Sequence, residues 1–357
     1  MNRTFDVISI GGATQDVFVR SEGTEVIRIS DKRKEKAWIG FDYGAKIPVD
    51  DIRFTVGGGA TNTAVSFANL GLKAACMAKI GHDSAGDTVL KRLKTAGIDT
   101  RWIVRCGEQT GYSVILTSYE GERSILAFRG ANTQFCLEDI DTEAVAQSPW
   151  IYVSSLSGQA DTLLEPLFEQ AIQAQTQISF NPGGTQLKSE PSRLAHLLSH
   201  VDLLFVNKEE AAKITGLLLE KPPEEHLRNP AQAHPVRPAY MYDLDAHLQA
   251  LKAMTRGTVV ITDGGRGTQA YDGEQVFIMP VYPTQVADVL GAGDAFGSAF
   301  TAARIKGHDV STALQWGSAN ASGVVTDPGA HHGLMDAEMI AACIQRFGET
   351  VPLHYSL

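Results

Sequence analysis

Short apolar segments alternate with longer amphipathic segments over the second half of the chain. The apolar segments predict strands at 151–154, 177–180, 203–206 and 258–262. The amphipathic segments predict helices near 161–174, 191–199, 208–215 and 243–255. Strands that alternate with helices in this way indicate a mainly parallel sheet covered by helices on both faces, which is an α/β fold.

The rest of the chain contains further strands and helices of the same kind. Residues 5–10 are mostly apolar and are followed by Gly11 and Gly12, which predicts a buried first strand. The pattern also predicts a helix of small residues that starts within 56–65 and ends at 69–71, a strand at 73–80, an amphipathic helix at 84–96, an apolar strand at 276–281 and helices at 310–325 and 336–347.

Two segments differ from this pattern and predict a small β lid. Residues 17–53 alternate short apolar pairs with charges, which predicts two to four short strands. Within 109–129, strand-like stretches at 112–118 and 124–128 are joined by a predicted hairpin turn at 119–122. We expect these two segments to pair. The charged run at 31–36 is interpreted as a solvated hairpin tip rather than a contact for an anionic substrate.

The length of 357 residues permits one large α/β domain, and we expect residues 1–357 to form a single domain. Residues 217–240 are rich in proline and charge, which predicts an inserted surface loop.

Composition excludes some classes of function. The 31 lysines and arginines are outnumbered by 41 aspartates and glutamates, a net charge of −10, so nucleic acid and anionic membranes are poor partners. Residues 1–10 lack a signal pattern, and no apolar run has the length of a membrane span. The four cysteines form no C-x-x-C pair, so we expect reduced thiols and a cytoplasmic location.

The stretch at 288–300 contains the most informative chemistry. Gly291, Ala292 and Gly293 form a turn that opens into a helix, and such a turn presents backbone N–H groups to an anion. Asp294 falls in the first turn, where the helix dipole would keep its carboxylate ionised and able to accept a proton. An anion cradle beside a base suits phosphoryl transfer to a hydroxyl group. An ordinary helix N-terminus with an acidic first turn is the alternative.

Four other residues are candidates for contacting a substrate. Asp16 follows the first strand, at the side where open α/β sheets bind ligands. Gly57 and Gly58 allow a ligand to approach the backbone closely, and Asn62 offers both a donor and an acceptor. For Asp16, a turn-capping role is the alternative.

Two motifs suit a nucleotide and its magnesium ion, and each has a purely structural alternative. Asn207 and Glu210 have the spacing of a capping box, or face the phosphates and organise hydrated Mg²⁺. Thr262, Gly264 and Gly267 belong to a hairpin turn, or to a loop whose N–H groups meet nucleotide phosphates.

Taken together, these motifs resemble the PfkB, or ribokinase-like, family of small-molecule kinases. The resemblance rests on G57-G58-G59-A60-T61-N62-T63-A64, N207-x-x-E210, T262-x-G264-x-x-G267 and D288-V289-L290-G291-A292-G293-D294, and covers nearly the whole chain. It implies ATP-dependent phosphorylation of a hydroxymethyl group of a sugar.

The resemblance also implies roles for individual residues. Asp294 would be the general base, and Gly291, Ala292 and Gly293 the anion hole. Asp16, Gly57, Gly58 and Asn62 would bind the substrate. Thr262, Gly264 and Gly267 would bind ATP, Asn207 and Glu210 would hold Mg²⁺ through water, and Asp288 would be a ligand of a monovalent cation such as K⁺.

The chain departs from the family pattern at two places. Val289 stands where the family often has threonine, and no glutamate follows the strand at 151–156, as it does in ribokinases proper. Lid aromatics keep a nucleoside kinase open as an alternative, a sugar phosphate is a further acceptor, and a catalytically inactive binding protein is the rival of a different class. Unpaired lid edges suggest a homodimer.

Overall fold

The computed structural model describes residues 3–21, 23, 25–30, 35–117, 123–219 and 234–357. The predicted hairpin turn at 119–122, most of the charged run at 31–36 and the central part of the predicted insertion at 217–240 lie outside these ranges.

The strands are β1 (Val7–Ile10), β2 (Thr14–Arg20), β3 (Glu25–Ser30), β4 (Glu35–Gly40), β5 (Asp51–Gly57), β6 (Ala74–Gly81), β7 (Ile103–Cys106), β8 (Gly111–Thr117), β9 (Arg123–Phe128), β10 (Trp150–Val153), β11 (Gln177–Phe180), β12 (Leu203–Asn207), β13 (Thr258–Thr262), β14 (Thr268–Tyr271), β15 (Gln275–Met279) and β16 (Leu353–Ser356).

The helices are α1 (Gly59–Asn69), α2 (Ser84–Thr95), α3 (Thr142–Val145), α4 (Leu164–Gln173), α5 (Pro191–Leu198), α6 (Lys208–Thr215), α7 (Asp245–Met254), α8 (Ala292–Ile305), α9 (Val310–Val324) and α10 (Ala337–Arg346). Short 3₁₀ helices lie at Gly130–Gln134, Leu137–Asp139, Gly158–Leu163, Gln186–Lys188 and Gly264–Arg266. In the described ranges, no helix is both long and apolar enough to cross a membrane.

The large sheet has the strand order β16-β15-β14-β13-β12-β11-β10-β1-β6-β7. Neighbours are parallel from β7 to β13 and antiparallel from β13 to β16, which confirms the prediction of a mainly parallel sheet. The strand β1 is central, because the chain crosses from it to β6 on one side and later to β10 on the other. A reversal of this kind opens a crevice at the carboxyl ends of the strands.

Helices cover both faces of this sheet, as the alternating pattern predicts. One core contains apolar residues of α4, α5 and α7, a second contains apolar residues of α1, α8 and α9, and a third contains apolar residues of α1 and α2. All four residues of β1 are buried, and three of them are apolar; the fourth, Ser9, is hydrogen-bonded to the Thr63 hydroxyl.

A smaller sheet with the order β5-β2-β8-β9 forms from the two segments that predict a lid. The strands β2 and β8 pair in parallel, while β5 and β9 pair antiparallel on the two edges. The strands β3 and β4 form a separate antiparallel pair. The small sheet buries Val17, Val56 and Ile115, but leaves the apolar side chains of Phe54 and Leu126 exposed.

Two features differ from the pattern-based expectations. The strand β16 adds to the antiparallel edge of the large sheet, although its exposed residues give no strand pattern. Near the end of the predicted surface insertion, Arg237 is buried and forms ion pairs with Asp243 and Asp245. This part of the segment can therefore pack against the domain, because Asp243 and Asp245 neutralise the buried Arg237.

Candidate active site

A pocket of about 420 Å³ lies where β1, β10 and β11 end. Gly12 follows β1, Ser154 follows β10, and Asn181 follows β11, and all three line the pocket. Gly58 and Asp294 also line it, at the N-termini of α1 and α8. The structure thus brings the predicted base and one of the predicted substrate glycines to the carboxyl ends of the parallel strands, where open α/β sheets bind ligands.

Asp294 and Asn62 contact each other although they are far apart in sequence. The Asn62 side-chain amide donates a hydrogen bond of 2.8 Å to the Asp294 carboxylate. The other polar atom of Asn62, its carbonyl oxygen, is buried and has no donor among the described residues. Asn62 therefore orients the carboxylate and keeps one acceptor for a donor group such as a hydroxyl.

The pKa of Asp294 is raised, whereas the helix dipole alone would lower it. Burial raises the pKa to about 6, the hydrogen bond from Asn62 opposes this rise, and the charge of Asp16 adds to it. A group with this pKa is still about 90% ionised at pH 7. Asp294 can therefore accept a proton near neutral pH, and it does so more readily than an exposed aspartate.

Asp16 lies on β2 of the small sheet and is buried. Thr14 donates a hydrogen bond of 2.9 Å to its carboxylate, and burial raises its pKa. A Cβ added to Gly57 would lie 1.9 Å from the Asp16 carboxylate, so only glycine leaves room for this side chain. The geometry brings Asp16 and Gly57 together beside the pocket, and the charge of Asp16 reaches Asp294.

Glycines at the start of α1 make the floor of the pocket. Gly58 has φ of 100°, and a Cβ there would lie 2.4 Å from the carbonyl oxygen of Gly12. At Gly59, a Cβ would lie 2.3 Å from the hydroxyl oxygen of Ser154. The helix can approach the strand ends this closely only because both positions lack a side chain.

The turn before α8 presents backbone amides beside Asp294. Gly291 caps the helix with φ of 81°, a left-handed conformation that favours glycine. The Ala292 N–H donates to the Val289 carbonyl at 3.3 Å, so one of the three predicted anion-hole amides has a partner. Gly291 and Gly293 donate to no acceptor in the described ranges, and a Cβ at Gly293 would meet open space. These two amides fit an anion.

Asn207 and Glu210 form the capping box that their spacing predicts. The Glu210 N–H donates to the Asn207 side chain at 2.9 Å, and the Asn207 N–H donates to the Glu210 carboxylate at 2.8 Å. Burial raises the pKa of Glu210. One carboxylate oxygen of Glu210 has no partner among the described residues, so the pair fits a Mg²⁺ ion bound through water. Within the described ranges, no cluster of three or more metal-ligating residues occurs.

The segment from Thr262 to Gly267 is a hairpin connection between β13 and β14, as one of the two interpretations has it. Thr262 pairs with Thr268 across the antiparallel strands, and the Asp263 N–H donates to the Gly267 carbonyl at 2.8 Å. Both Gly264 and Gly267 have positive φ. The backbone conformation of the turn is therefore the reason that glycine occupies these two positions.

A cluster of charges lies beside this hairpin. Lys208 forms an ion pair with the buried Asp263. Lys208 and Arg266 both lie over the ring of Tyr242, 5.1 Å and 5.2 Å from its centre. Because Lys208 is paired with Asp263, Arg266 is the cation of this cluster that is more available to a polyphosphate beside the glycine-rich backbone.

The predicted acceptor and nucleotide residues follow one another along the edge of the large sheet. Asn181 follows β11, Asn207 ends the neighbouring β12, and Thr262 ends the next strand, β13. Asn207 and Thr262 are directly paired in register. A molecule that extends along this edge would pass from the Asp294 pocket to the Asn207 and Thr262 strand ends.

Asp288 is held by the small sheet. One of its carboxylate oxygens accepts from Arg123 of β9 and from the Leu290 N–H. The other oxygen is buried without a partner among the described residues. The predicted cation ligand thus has one oxygen in use and one free.

Sequence reasoning missed several residues of the pocket, including Ser154, Asn181, Arg129 and Lys188. Ser154 and Asn181 follow predicted strands, so the rule that ligands bind at strand ends was the signal for them. Nothing local marks Arg129 or Lys188, because their position depends on how distant segments pack.

Comparison with known proteins identifies a family. Residues 26–337 match the family described as pfkB family carbohydrate kinase. The chain is 25% identical over 310 residues to 5-dehydro-2-deoxygluconokinase of Halalkalibacterium halodurans, covering 84% of this chain and 87% of the relative. It is 28% identical over 275 residues to ATP-dependent ribose-1-phosphate kinase of Halopiger xanaduensis, covering 76% and 79%.

The fold is also that of solved structures. Arabidopsis thaliana ribokinase complexed with ribose and ATP has a TM-score of 0.75 and 20% identity to this chain, covering 97% of this chain and 99% of that one. At this identity the likeness establishes the fold, and the motifs and pocket carry the argument about chemistry.

Proposed function

The chain belongs to the pfkB family of carbohydrate kinases, and we propose that it transfers the γ-phosphate of ATP to a hydroxymethyl group of a sugar. Membership confirms the resemblance given by the motifs and makes the protein a phosphotransferase with an alcohol group as acceptor. The observation that carries the specific proposal is the hydrogen-bonded pair of Asp294 and Asn62 in a pocket beside the glycine turn.

In the proposed reaction Asp294 is the general base. It accepts the proton of the acceptor hydroxyl as the oxygen attacks the phosphate, and its pKa of about 6 suits this role near neutral pH. The amides of Gly291, Ala292 and Gly293 donate to the charge that develops on the transferred group. Ala292 must release its weak bond to Val289 to contribute.

The nucleotide would lie along the strand ends of β12 and β13. Thr262, Gly264 and Gly267 would contact its phosphates, with Asn207 and Glu210 holding Mg²⁺ through water. The metal, when bound, would neutralise charge on the phosphates. The free oxygen of Glu210 supports this assignment.

The acceptor would lie on Asp16, Gly57, Gly58 and Asn62, with the small sheet as a lid over it. A closed lid excludes water, which would otherwise receive the phosphate. No aromatic side chain lines the pocket in the described part of the chain. This favours a sugar over a nucleoside, whose base would stack on an aromatic ring.

We also propose a monovalent cation at Asp288. Its unpartnered buried oxygen offers a ligand, while Arg123 occupies the other. Equal activity in potassium and sodium buffers would contradict this assignment.

A homodimer through the small sheet is proposed as well. Ile52, Phe54, Ile125, Leu126 and Phe128 are exposed on it, and its two edge strands have unpaired backbone groups. A second copy would cover this apolar surface. Sedimentation that gives only monomer at micromolar concentration would contradict it.

A coupled assay of ADP release tests the kinase proposal. Purified protein with ATP and Mg²⁺ is offered neutral sugars, sugar acids, sugar phosphates and nucleosides, the last two kinds reflecting the alternatives. We expect ADP release that depends on one class of sugar and is lost without Mg²⁺. No release with any acceptor, from protein that melts cooperatively, would favour the inactive binding protein instead.

A further inference from the structure

The pocket contains two positive side chains, Arg129 and Lys188, that the proposed phosphoryl transfer does not use. The general base, the anion-binding amides and the hydroxyl-binding asparagine account for the chemistry at the acceptor hydroxyl. Arg129 and Lys188 therefore need a separate explanation.

The backbone around Arg129 is fixed by specific contacts. Gly130 has φ of 48°, and a Cβ there would lie 2.2 Å from the Gln109 carbonyl oxygen, so the turn after Arg129 packs directly on that segment. The Asn132 side chain accepts from the Ala13 N–H at 2.8 Å and donates to the Ala13 carbonyl at 2.9 Å. Arg129 thus enters the pocket from a turn held on both sides.

The backbone around Lys188 is held by a fully buried glutamine. The Gln186 side-chain amide donates to the Leu156 carbonyl and to the Asp161 carboxylate, each at 2.6 Å. Its carbonyl oxygen accepts from the Gly183 N–H at 2.9 Å. These bonds fasten the loop after β11 to the loop after β10, so Lys188 is presented at a set position on the pocket wall.

Neither cation is neutralised by a residue that the structure describes. Seven other arginines in the described ranges form close ion pairs with aspartates: Arg53, Arg101, Arg105, Arg123, Arg193, Arg237 and Arg256. In contrast, Arg129 and Lys188 form no ion pair or side-chain hydrogen bond with any residue in the described ranges. Both residues are exposed and line the same pocket, so in a chain of net charge −10 they are free to attract a negatively charged ligand there.

We propose that the acceptor is an anionic sugar, whose carboxylate or phosphate is bound by Arg129 and Lys188 while its hydroxymethyl group faces Asp294. The proposal rests on the proposed kinase function for the identity of the site, but the anion selectivity is a property of binding. Arginine offers paired donors to a carboxylate or phosphate, and lysine adds a point charge.

Calorimetry without ATP tests the selectivity, using probes that differ mainly in charge. D-Gluconate is compared with D-glucitol, and ribose 1-phosphate with ribose, so the first pair tests a carboxylate and the second a phosphate. We expect at least one anionic probe to bind 10-fold or more tightly than its neutral counterpart, and the arm that does so identifies the anion.

Variants then assign the effect to the two residues. Arg129→Met and Lys188→Met should each weaken binding of the anionic probe by about 10- to 100-fold, the range for hydrogen bonds to charged groups. Binding of neutral sugars and the KM for ATP should stay within about twofold of wild type. Arg129→Lys and Lys188→Arg should recover part of the loss. Lys91→Met on α2 and Arg346→Met on α10 are matched controls outside the pocket, and neither should change binding.

Two results would overturn the proposal. One is neutral probes that bind as tightly as anionic ones in both arms. The other is Met variants that raise the KM for ATP and leave binding of the anionic probe unchanged, because the cations would then serve the nucleotide. Anion-selective binding without ADP release would overturn the kinase function alone, and ADP release with neutral sugars only would overturn this inference alone.

Discussion

The two sheets of this protein differ in how far they bury their apolar residues. In the large sheet, β1, β6 and β10 are buried along their whole length, between helices on both faces. In the small sheet, β9 is exposed at most positions, although it contains Ile125 and Leu126. Helices of the same chain cover the large sheet. The small sheet keeps an exposed apolar surface that a second molecule could cover.

This difference corresponds to a division of roles. The large sheet and its helices hold Asp294, Asn62 and the strand-end residues, which need fixed geometry. The small sheet contributes Asp16 and the Arg123 side chain that pairs with Asp288, and Arg129 enters the pocket directly after its last strand. In the proposed mechanism, the large sheet and its helices therefore carry the chemistry, and the small sheet encloses and selects the acceptor.

Asp294→Asn is the strongest test of that division. It removes the proton acceptor and nearly preserves shape, so we expect kcat to fall about 10²- to 10⁴-fold. Because the folded-state pKa of about 6 lies above the ordinary 3.8, ionisation at neutral pH opposes folding, and the cost grows as pH rises between those values. The variant should therefore melt at the same temperature as wild type or higher at pH 7. Turnover within about threefold of wild type would remove Asp294 from the mechanism.

A matched pair of truncations compares the two sheets in stability. Ile8→Ala in β1 leaves a cavity in a fully buried core and should cost about 2–5 kcal/mol. Leu126→Ala in β9 removes a side chain that is 60% exposed and should change the stability of the monomer by less than about 0.5 kcal/mol. Chemical denaturation measures both, at a concentration low enough to dissociate dimers. Equal losses in stability would mean that other parts of the same chain bury the apolar face of the small sheet.

Arg123→Met tests the connection between the sheets. It leaves the buried Asp288 carboxylate without its cation, and the expected loss is about 1–3 kcal/mol, since Arg123 itself is partly exposed. Hydrogen exchange should accelerate in β9 more than in β1. Arg123→Lys, which retains the charge, should lose less. Uniform acceleration in both strands would contradict a local role.

The pH dependence of kcat tests the smallest of the expected effects. Protonation of Asp294 should halve kcat near pH 6 on the acid side. The hydrogen bond from Asn62 lowers this pKa, so Asn62→Ala should move the midpoint to higher pH. Asn69→Ala on the same helix, which only loses a bond to the Leu334 carbonyl, should leave the midpoint unchanged. A midpoint near pH 4 in wild type would contradict the burial of Asp294.

Sequence alone was sufficient for features that depend on neighbouring residues. The helix at Asp294, the turn at Gly291 and the capping box of Asn207 and Glu210 are set within a few positions, so local rules predict them. The mainly parallel sheet also followed, because its strands are mostly apolar and alternate with amphipathic helices along the chain.

Features that depend on distant residues were not predictable. The rise in the pKa of Asp294 comes from burial and from Asp16, which is far away in the sequence. The ion pair of Arg123 with Asp288 joins two segments whose docking no local pattern encodes. The strand β16 is short and exposed. Backbone pairing with β15, rather than an apolar pattern in its sequence, holds it as a strand.

The glycine floor of the pocket limits how this enzyme can evolve. A side chain at Gly58 would collide with Gly12, and one at Gly59 would collide with Ser154. Substitutions at these two glycines therefore cannot change the acceptor without disturbing the pocket. Gly184, on the pocket wall, has open space where a Cβ would stand and an ordinary backbone conformation. Gly184 is therefore a position where a side chain can be added to the pocket wall without a clash, and a library there would sample new acceptors while Asp294 and the glycine floor stay unchanged.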